Sequence, residues 1–177
     1  EGLATSPVAS WGGWLPGEAF GTSMAVADFD DDGRLDLAVG APLASPYGIL
    51  RAGSVYIFYG LEGGGFAAES GRELHGEQVS DHFGTSLATG DFDGDGFWDL
   101  AVGAPDAEDN LALQVMPGQG GVFVYLGSLT GLPMLPDSAV WGKTVDESGF
   151  YVPAIDARVG VRLAAADTDL DGFWDLA

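Results

Sequence analysis

FGTSMAVADFDDDGRLDLAVGAP (residues 20–42) returns as FGTSLATGDFDGDGFWDLAVGAP (residues 83–105), and a third time as VGVRLAAADTDLDGFWDLA (residues 159–177). The copies begin 63 and then 76 residues apart. Each contains the string D-x-D-x-D-G-x-x-D. Recurrence at this period predicts an architecture of stacked equivalent units. The aspartate spacing predicts that each unit holds a hard cation.

The residues flanking each string alternate. Met24 and Val26 oppose Ala25 and Ala27; beyond the string, Leu35, Leu37 and Val39 oppose Asp36, Ala38 and Gly40. A period of two belongs to strands, so each string is read as the connection of a β-hairpin. A third strand is predicted at 55–59 and at 122–126. A shorter fourth is predicted in RELHG, ending at Gly76, and in SAVWG, ending at Gly142. VASWG, ending at Gly12, reads as a further copy of that fourth strand. No segment has a helical period. The second spacing is longer mainly between Gly142 and Val159, outside the predicted strands, where insertions are tolerated.

The fold class is therefore all-β, with units of four antiparallel strands that suit the blades of a β-propeller. Small residues at Ala25, Ala27, Ala88, Gly90, Ala164 and Ala166 suit an inner strand crowded near a central axis. One blade has two faces to cover and needs neighbours. The expected organisation is a single partial propeller over 1–177. An outer strand of a preceding blade and its linker occupy 1–19, repeats occupy 20–82 and 83–158, and an incomplete repeat occupies 159–177. Two and a half to three blades fall short of the roughly four to eight that close a ring. The remaining blades of a longer chain, other copies of this chain, or an open stack of sheets are the alternatives.

The net charge is −21, from 27 Asp and Glu against 6 Lys and Arg. That balance argues against nucleic acid as a partner, since binding it needs a basic patch. The acids are concentrated: 13 of the 27 lie in the three nine-residue strings. No apolar run reaches the ~18 residues of a spanning helix, so no membrane insertion is expected. Without cysteine, disulfides and zinc–thiolate sites are excluded. The chain starts at Glu1 without a visible signal peptide, as a mature or excised product would.

Numbered from its first residue, each string places Asp at positions 1, 3, 5 and 9. These are Asp28, Asp30, Asp32 and Asp36; then Asp91, Asp93, Asp95 and Asp99; then Asp167, Asp169, Asp171 and Asp175. Position 6 is Gly33, Gly96 or Gly172, which permits the sharp turn. Position 7 offers a backbone carbonyl, from Arg34, Phe97 and Phe173. Four carboxylates within a few ångströms repel one another unless a cation lies between them. An all-oxygen set suits Ca2+, which takes 6–8 flexible ligands, better than Mg2+, which keeps its waters. No His, Cys or Met lies within the strings to favour a transition metal. Up to three Ca2+ are expected.

An EF-hand would carry a bidentate Glu at position 12 between helices. Here position 12 is Val39 or Val102 and the flanks are strands. Plain acidic Asp-Gly turns are the other alternative, and threefold recurrence at equivalent positions weighs against it. The expected role of the metal is structural. At ~1 mM free calcium and a Kd of ~0.1 mM, each site contributes roughly 1.4 kcal/mol, and three contribute about 4 kcal/mol. Sites this weak fill only where calcium is near millimolar, which points to an extracellular setting, secreted or at the cell surface. No base or nucleophile accompanies the strings, so no enzymatic activity is expected.

The pattern FG…D-x-D-x-D-G-x-x-DLAVGAP resembles the FG-GAP repeat of integrin α-subunit β-propellers. It is also similar to propellers of glycosylphosphatidylinositol-specific phospholipase D and of bacterial surface proteins. Phe20-Gly21 with Gly40-Ala41-Pro42, and Phe83-Gly84 with Gly103-Ala104-Pro105, match in full. The third unit has Val159 in place of Phe and stops before any GAP. The resemblance implies a seven-bladed propeller with calcium between the first and second strands of a blade. It implies that the opposite face takes protein ligands and a partner subunit; the corresponding loops here are 43–52, 106–119 and 143–158. The implied function is a calcium-binding, non-enzymatic scaffold for extracellular protein or glycan recognition and adhesion. An accessory domain of a secreted hydrolase and a self-assembling blade unit are the alternatives. Integrin propellers usually carry cysteines, and their absence here points to a bacterial or divergent member.

Trp98 and Trp174 align with Leu35 and are expected between blades, with a carbohydrate platform as the alternative. Phe97 and Phe173 are expected on the calcium face. Trp11 and Trp141 occupy equivalent fourth-strand positions and are expected to pack. His75 and His82 fit no metal or triad spacing. Gly63, Gly64 and Gly65 read as a turn and not a phosphate cradle, since no helix follows.

Overall fold

Alternating side chains on both sides of each aspartate string fold back on one another as antiparallel hairpins. The computed structural model describes residues 12–13, 15–108, 118–145, 151–153, 157–171 and 173–177. In the first unit, β1 (Ser23–Ala27), β2 (Asp36–Ala41), β3 (Ser54–Phe58) and β4 (Arg72–His75) form one sheet in sequence order. In the second, β5 (Ser86–Gly90), β6 (Asp99–Ala104), β7 (Gly121–Tyr125) and β8 (Ser138–Trp141) form another. All strand pairings within the two sheets are antiparallel, and the register repeats: Ala25 faces Ala38, and Ala88 faces Ala101. These are four-stranded propeller blades, and neither sheet closes on itself. One short 3-10 turn, Pro46–Gly48, interrupts the all-β pattern.

The third strands start one residue before the predicted stretches, and the fourth strands end one residue before them. The VASWG segment falls, except for Gly12, outside the described residues, as does Trp11. The long insertion after Gly142 is more than a loop. It contains a hairpin, β9 (Lys143–Val145) with β10 (Tyr151–Pro153), in which Tyr151 pairs with Val145. Strands of three residues are too short to show a period of two in sequence. The third unit contributes β11 (Ala165–Ala166) and β12 (Asp175–Leu176), again antiparallel.

The small inner strands do what their size allows: β1 lies beside β5, and β5 beside β11. On the blade-one face that meets blade two, Ala27, Ala38, Val55, Ile57 and Leu74 are buried. They pack with Phe83, Leu100, Val102 and Tyr125 of the second blade in one shared core. The opposite face of blade two, with Ala88, Ala101, Val122 and Val124, packs against Leu163, Ala165 and Leu176 of the third unit. The remaining face of blade one is only partly covered: Phe20 and Phe66 sit on Tyr56 and Phe58, but Met24 stays 64% and Val26 45% exposed.

The two ends of the repeated motif meet between units. A Cβ on Gly40 would lie 2.1 Å from the carbonyl oxygen of Gly84. Ser23 Oγ donates a hydrogen bond to that same oxygen, at 2.7 Å. The next joint repeats the arrangement: a Cβ on Gly103 would lie 2.0 Å from the Gly160 oxygen, to which Ser86 Oγ donates at 2.6 Å. Gly84 and Gly160 have φ of 86° and 87°, a left-handed backbone that favours glycine. The GAP glycine of one unit and the FG glycine of the next are thus two halves of one contact. Val159 replaces Phe without breaking the joint, because the backbone of Gly160 makes it. Gly103→Ala is expected to cost about 1–3 kcal/mol by overpacking against backbone; urea denaturation of the variant measures it.

Candidate metal centre

The first two hairpin tips are each bent by two left-handed steps, and the described part of the third shows the first of them. Position 4 has positive φ in all three loops: Asp31 at 55°, Gly94 at 75° and Leu170 at 62°. Position 6 follows with Gly33 at 83° and Gly96 at 92°; Gly172 lies outside the described residues. These bends bring alternate side chains to one side. In the first loop Asp28, Asp30 and Asp32 each offer an oxygen within 4.8 Å of the others. In the third, Asp167, Asp169 and Asp171 do the same. In the second the gathered set is Asp91, Asp93 and Asp99, while Asp95 accepts the Phe97 N–H at 2.9 Å.

Backbone N–H groups hold the carboxylates in place. Asp28 accepts from Asp32 N at 3.0 Å and Gly33 N at 2.8 Å. Asp91 accepts from Gly94 N at 2.7 Å and Gly96 N at 2.9 Å. Asp93 and Asp169 accept from the N–H two residues on. Arg34, Phe97 and Phe173, expected to offer carbonyls, each donate their N–H to the position 5 carboxylate. The Arg34 side chain does something the repeat pattern did not suggest. Its guanidinium pairs with Asp32, and its Nε donates to the Gly60 carbonyl at 3.1 Å. The signal was present in sequence, since the other two loops carry Phe at that position.

Position 9 differs from the rest. Asp36 is fully buried and accepts from Phe29 N and Gly60 N, both at 2.8 Å. Asp99 is equally buried and accepts from Phe92 N at 2.6 Å and Gly127 N at 2.7 Å. These two carboxylates tie the start of the loop to the end of the third strand. Asp175 is exposed and is bonded by both the backbone N–H and the hydroxyl of Thr168. Burial pushes the Asp36 carboxyl up, and pushes Asp99 up to about 6, with Asp93 and Asp91 adding to the effect. Hydrogen bonds from Thr168 pull Asp175 down.

A cation fits this donor set on one observation above all. Asp30 Oδ1 is buried and has no hydrogen-bond partner among the described residues, a costly state for a carboxylate oxygen. Burial, then the charges of Asp32 and Asp28, raise the Asp30 pKa. A divalent ion among the gathered oxygens would offset all three effects.

Neighbouring tips touch. Phe173 lies over Gly94, where a Cβ would come 1.9 Å from its ring. The Trp174 backbone N–H donates to the Asp91 carbonyl at 3.1 Å. Trp98 and Trp174 meet edge to face at 5.8 Å, so the pair bridges two units at the rim, with Trp98 still 36% exposed. Phe173 is exposed and Phe97 half-buried. Trp141 packs on Phe123. His75 bonds Ser54 Oγ at 3.0 Å, and His82 pairs with Asp106 at 2.7 Å.

The raised carboxyls set a pH dependence. An Asp that keeps its proton in the fold up to about 6, but loses it near 4 when unfolded, stabilises the fold as pH falls through that window. Asp99 behaves so, and so does Asp81, which burial also pushes up to about 6. Between pH 7.5 and 5 the calcium-free chain is expected to gain about 1–3 kcal/mol. Asp175 opposes this only weakly, being exposed. Calcium needs the ionised forms, so its stabilising increment shrinks over the same range. Thermal melts with calcium and with chelator at both pH values check this; a calcium-free chain that loses stability on acidification contradicts it.

Repeated four-stranded blades with carboxylates gathered at their hairpin tips define a repeat protein of the β-propeller class. Residues 20–58 and 83–125 match the family model of the FG-GAP repeat. Over 178 residues the chain is 40% identical to phosphatidylinositol-glycan-specific phospholipase D of Homo sapiens, an alignment covering 97% of this chain and 20% of the relative. It is 40% identical over 132 residues to integrin alpha-7 of Homo sapiens, covering 74% of this chain and 10% of that protein. It is 37% identical over 134 residues to integrin alpha-3 of Mus musculus, covering 75% and 12%. The chain belongs to the FG-GAP repeat family, with integrin α subunits and this phospholipase D among its homologues. It spans about a fifth of the length of the phospholipase relatives it matches.

Proposed function

We propose that this chain is a calcium-stabilised segment of a β-propeller. It is a non-enzymatic scaffold that presents loops for protein or glycan recognition outside the cell. The gathering of three carboxylates at each of three equivalent tips, with Asp30 Oδ1 buried and unpartnered, carries the reading. Residues 28, 30 and 32, then 91, 93 and 99, then 167, 169 and 171 hold the ions. Asp36 and Asp175 brace the first and third loops; Asp99 both braces and binds. The bound ion supplies charge neutralisation, and the side chains supply the cage. Weak sites of this type fill at the millimolar calcium of extracellular fluid, and the integrin relatives support a role in recognition. The half-covered face of blade one calls for another blade, from a longer chain or a second copy. Among the described residues no helix is long and apolar enough to cross a membrane.

Calorimetric titration of the metal-free chain with calcium tests the proposal. Two or three sites are expected, each lost on Asp→Asn substitution at position 3 of its loop. Absence of binding at 5 mM calcium would falsify it. A second reading, an accessory domain of a hydrolase, is favoured by the phospholipase alignment covering nearly the whole chain where the integrin alignments cover three quarters. A catalytic domain encoded in the same gene would decide for it.

A further inference from the structure

Away from the aspartate tips, a groove of about 390 Å3 runs between the outer strands of the two blades. One wall is aromatic. Phe123, Tyr125 and Trp141 line it, with Phe123 edge-to-face against Trp141 at 5.4 Å. The facing side comes from the turns after β4 and β6 and carries Glu77, Asp81 and Glu108. No Lys or Arg is among the described residues that line the groove. The corresponding first-blade residues are Tyr56, Phe58 and His75, so of the two described blades the second carries the tryptophan-bearing wall.

One group in the groove lacks a counterpart. Tyr125 is 2% exposed, and its hydroxyl has no hydrogen-bond partner among the described residues. Burial and the nearby Glu77 charge hold its proton well above the usual phenol range. Asp81 is buried too; it accepts the Gln78 N–H at 2.9 Å, while the charges of Glu108 and Glu77 add to the cost of ionising it. The three carboxylates are not drawn together as the aspartate-tip groups are, so they do not form a cage for a bare metal ion. Glu77 and Glu108, with Asp81 buried below them, stand beside an aromatic surface, an arrangement that favours a cation with an apolar body.

We propose that this groove binds a small organic ammonium ion. Its apolar body lies on the Phe123–Tyr125–Trp141 wall, and its charged head stands among Glu77, Asp81 and Glu108, within reach of the Tyr125 hydroxyl. The inference is independent of the calcium reading.

The test is a calorimetric titration of the 177-residue chain with phenethylammonium chloride at pH 7.5, in calcium-containing buffer that shields the aspartate tips. The neutral isostere 2-phenylethanol is titrated alongside. Saturable one-to-one binding of the cation is expected, with the alcohol at least tenfold weaker. Trp141→Ala and Glu77→Gln are each expected to weaken the cation at least fivefold. Thermal melting checks that the variants fold; Glu77 lies on an exposed turn, so Glu77→Gln carries the test if Trp141→Ala does not fold. Three results overturn the proposal: no saturable binding, equal affinity for the alcohol, or cation binding that a folded Glu77→Gln chain retains in full.

Discussion

Asp36→Ala is expected to destabilise the chain by about 2–5 kcal/mol, although the residue stands at a hairpin tip where substitutions are ordinarily mild. The loss follows from what the carboxylate accepts. Phe29 N–H and Gly60 N–H both donate to it at 2.8 Å, and Asp36 has no exposed surface. Alanine leaves two buried donors unsatisfied, at about 1–3 kcal/mol each. Burial of the carboxylate itself works the other way, which keeps the net loss below the sum of the largest values. Asp36→Asn retains one acceptor oxygen and is expected to lose roughly half as much. Denaturant unfolding without calcium isolates this bracing role from metal binding. A change within 0.5 kcal/mol would mean that the two hydrogen bonds do not hold the hairpin to β3.

Removing calcium is expected to cost a comparable amount. Three sites of ~0.1 mM Kd at ~1 mM calcium contribute about 4 kcal/mol together, which for a chain of this size lowers the Tm by roughly 8–16 °C. The repulsion left behind concentrates at the tips, where 13 acids share three nine-residue stretches. Protease cleavage in chelator is therefore expected to begin at 28–35 and 91–98. Unchanged Tm and unchanged cleavage in chelator would show that the tips are stable as plain turns.

The blades were legible in sequence because the inner and second strands have chemically distinct faces, and because the pattern is written more than once. β3 was found differently. All five of its residues are buried, so it shows an apolar run without alternation and is recognised by its bounding glycines and its second copy. The β9–β10 hairpin was not legible, since three residues carry no usable period. The aspartate spacing identified the loops but treated positions 1, 3, 5 and 9 alike. What separates Asp36 and Asp99 from the others is full burial and a backbone N–H donor 24 or 28 residues away, and backbone donors leave no mark on composition. The joint between Gly40 and Gly84 was hidden for a related reason. Both glycines were visible as motif letters, but only the stacking of one unit on the next shows that a carbonyl oxygen sits where the Gly40 Cβ would be.

Diffraction from crystals of the chain grown in calcium, with anomalous data collected to locate the ions, tests the central claim most directly. Strong peaks are expected within ordinary calcium–oxygen distance of Asp30, of Asp93 and of Asp169, with Asp30 Oδ1 as a ligand. Tips without density, or position 3 carboxylates turned out into solvent at saturating calcium, would contradict the account.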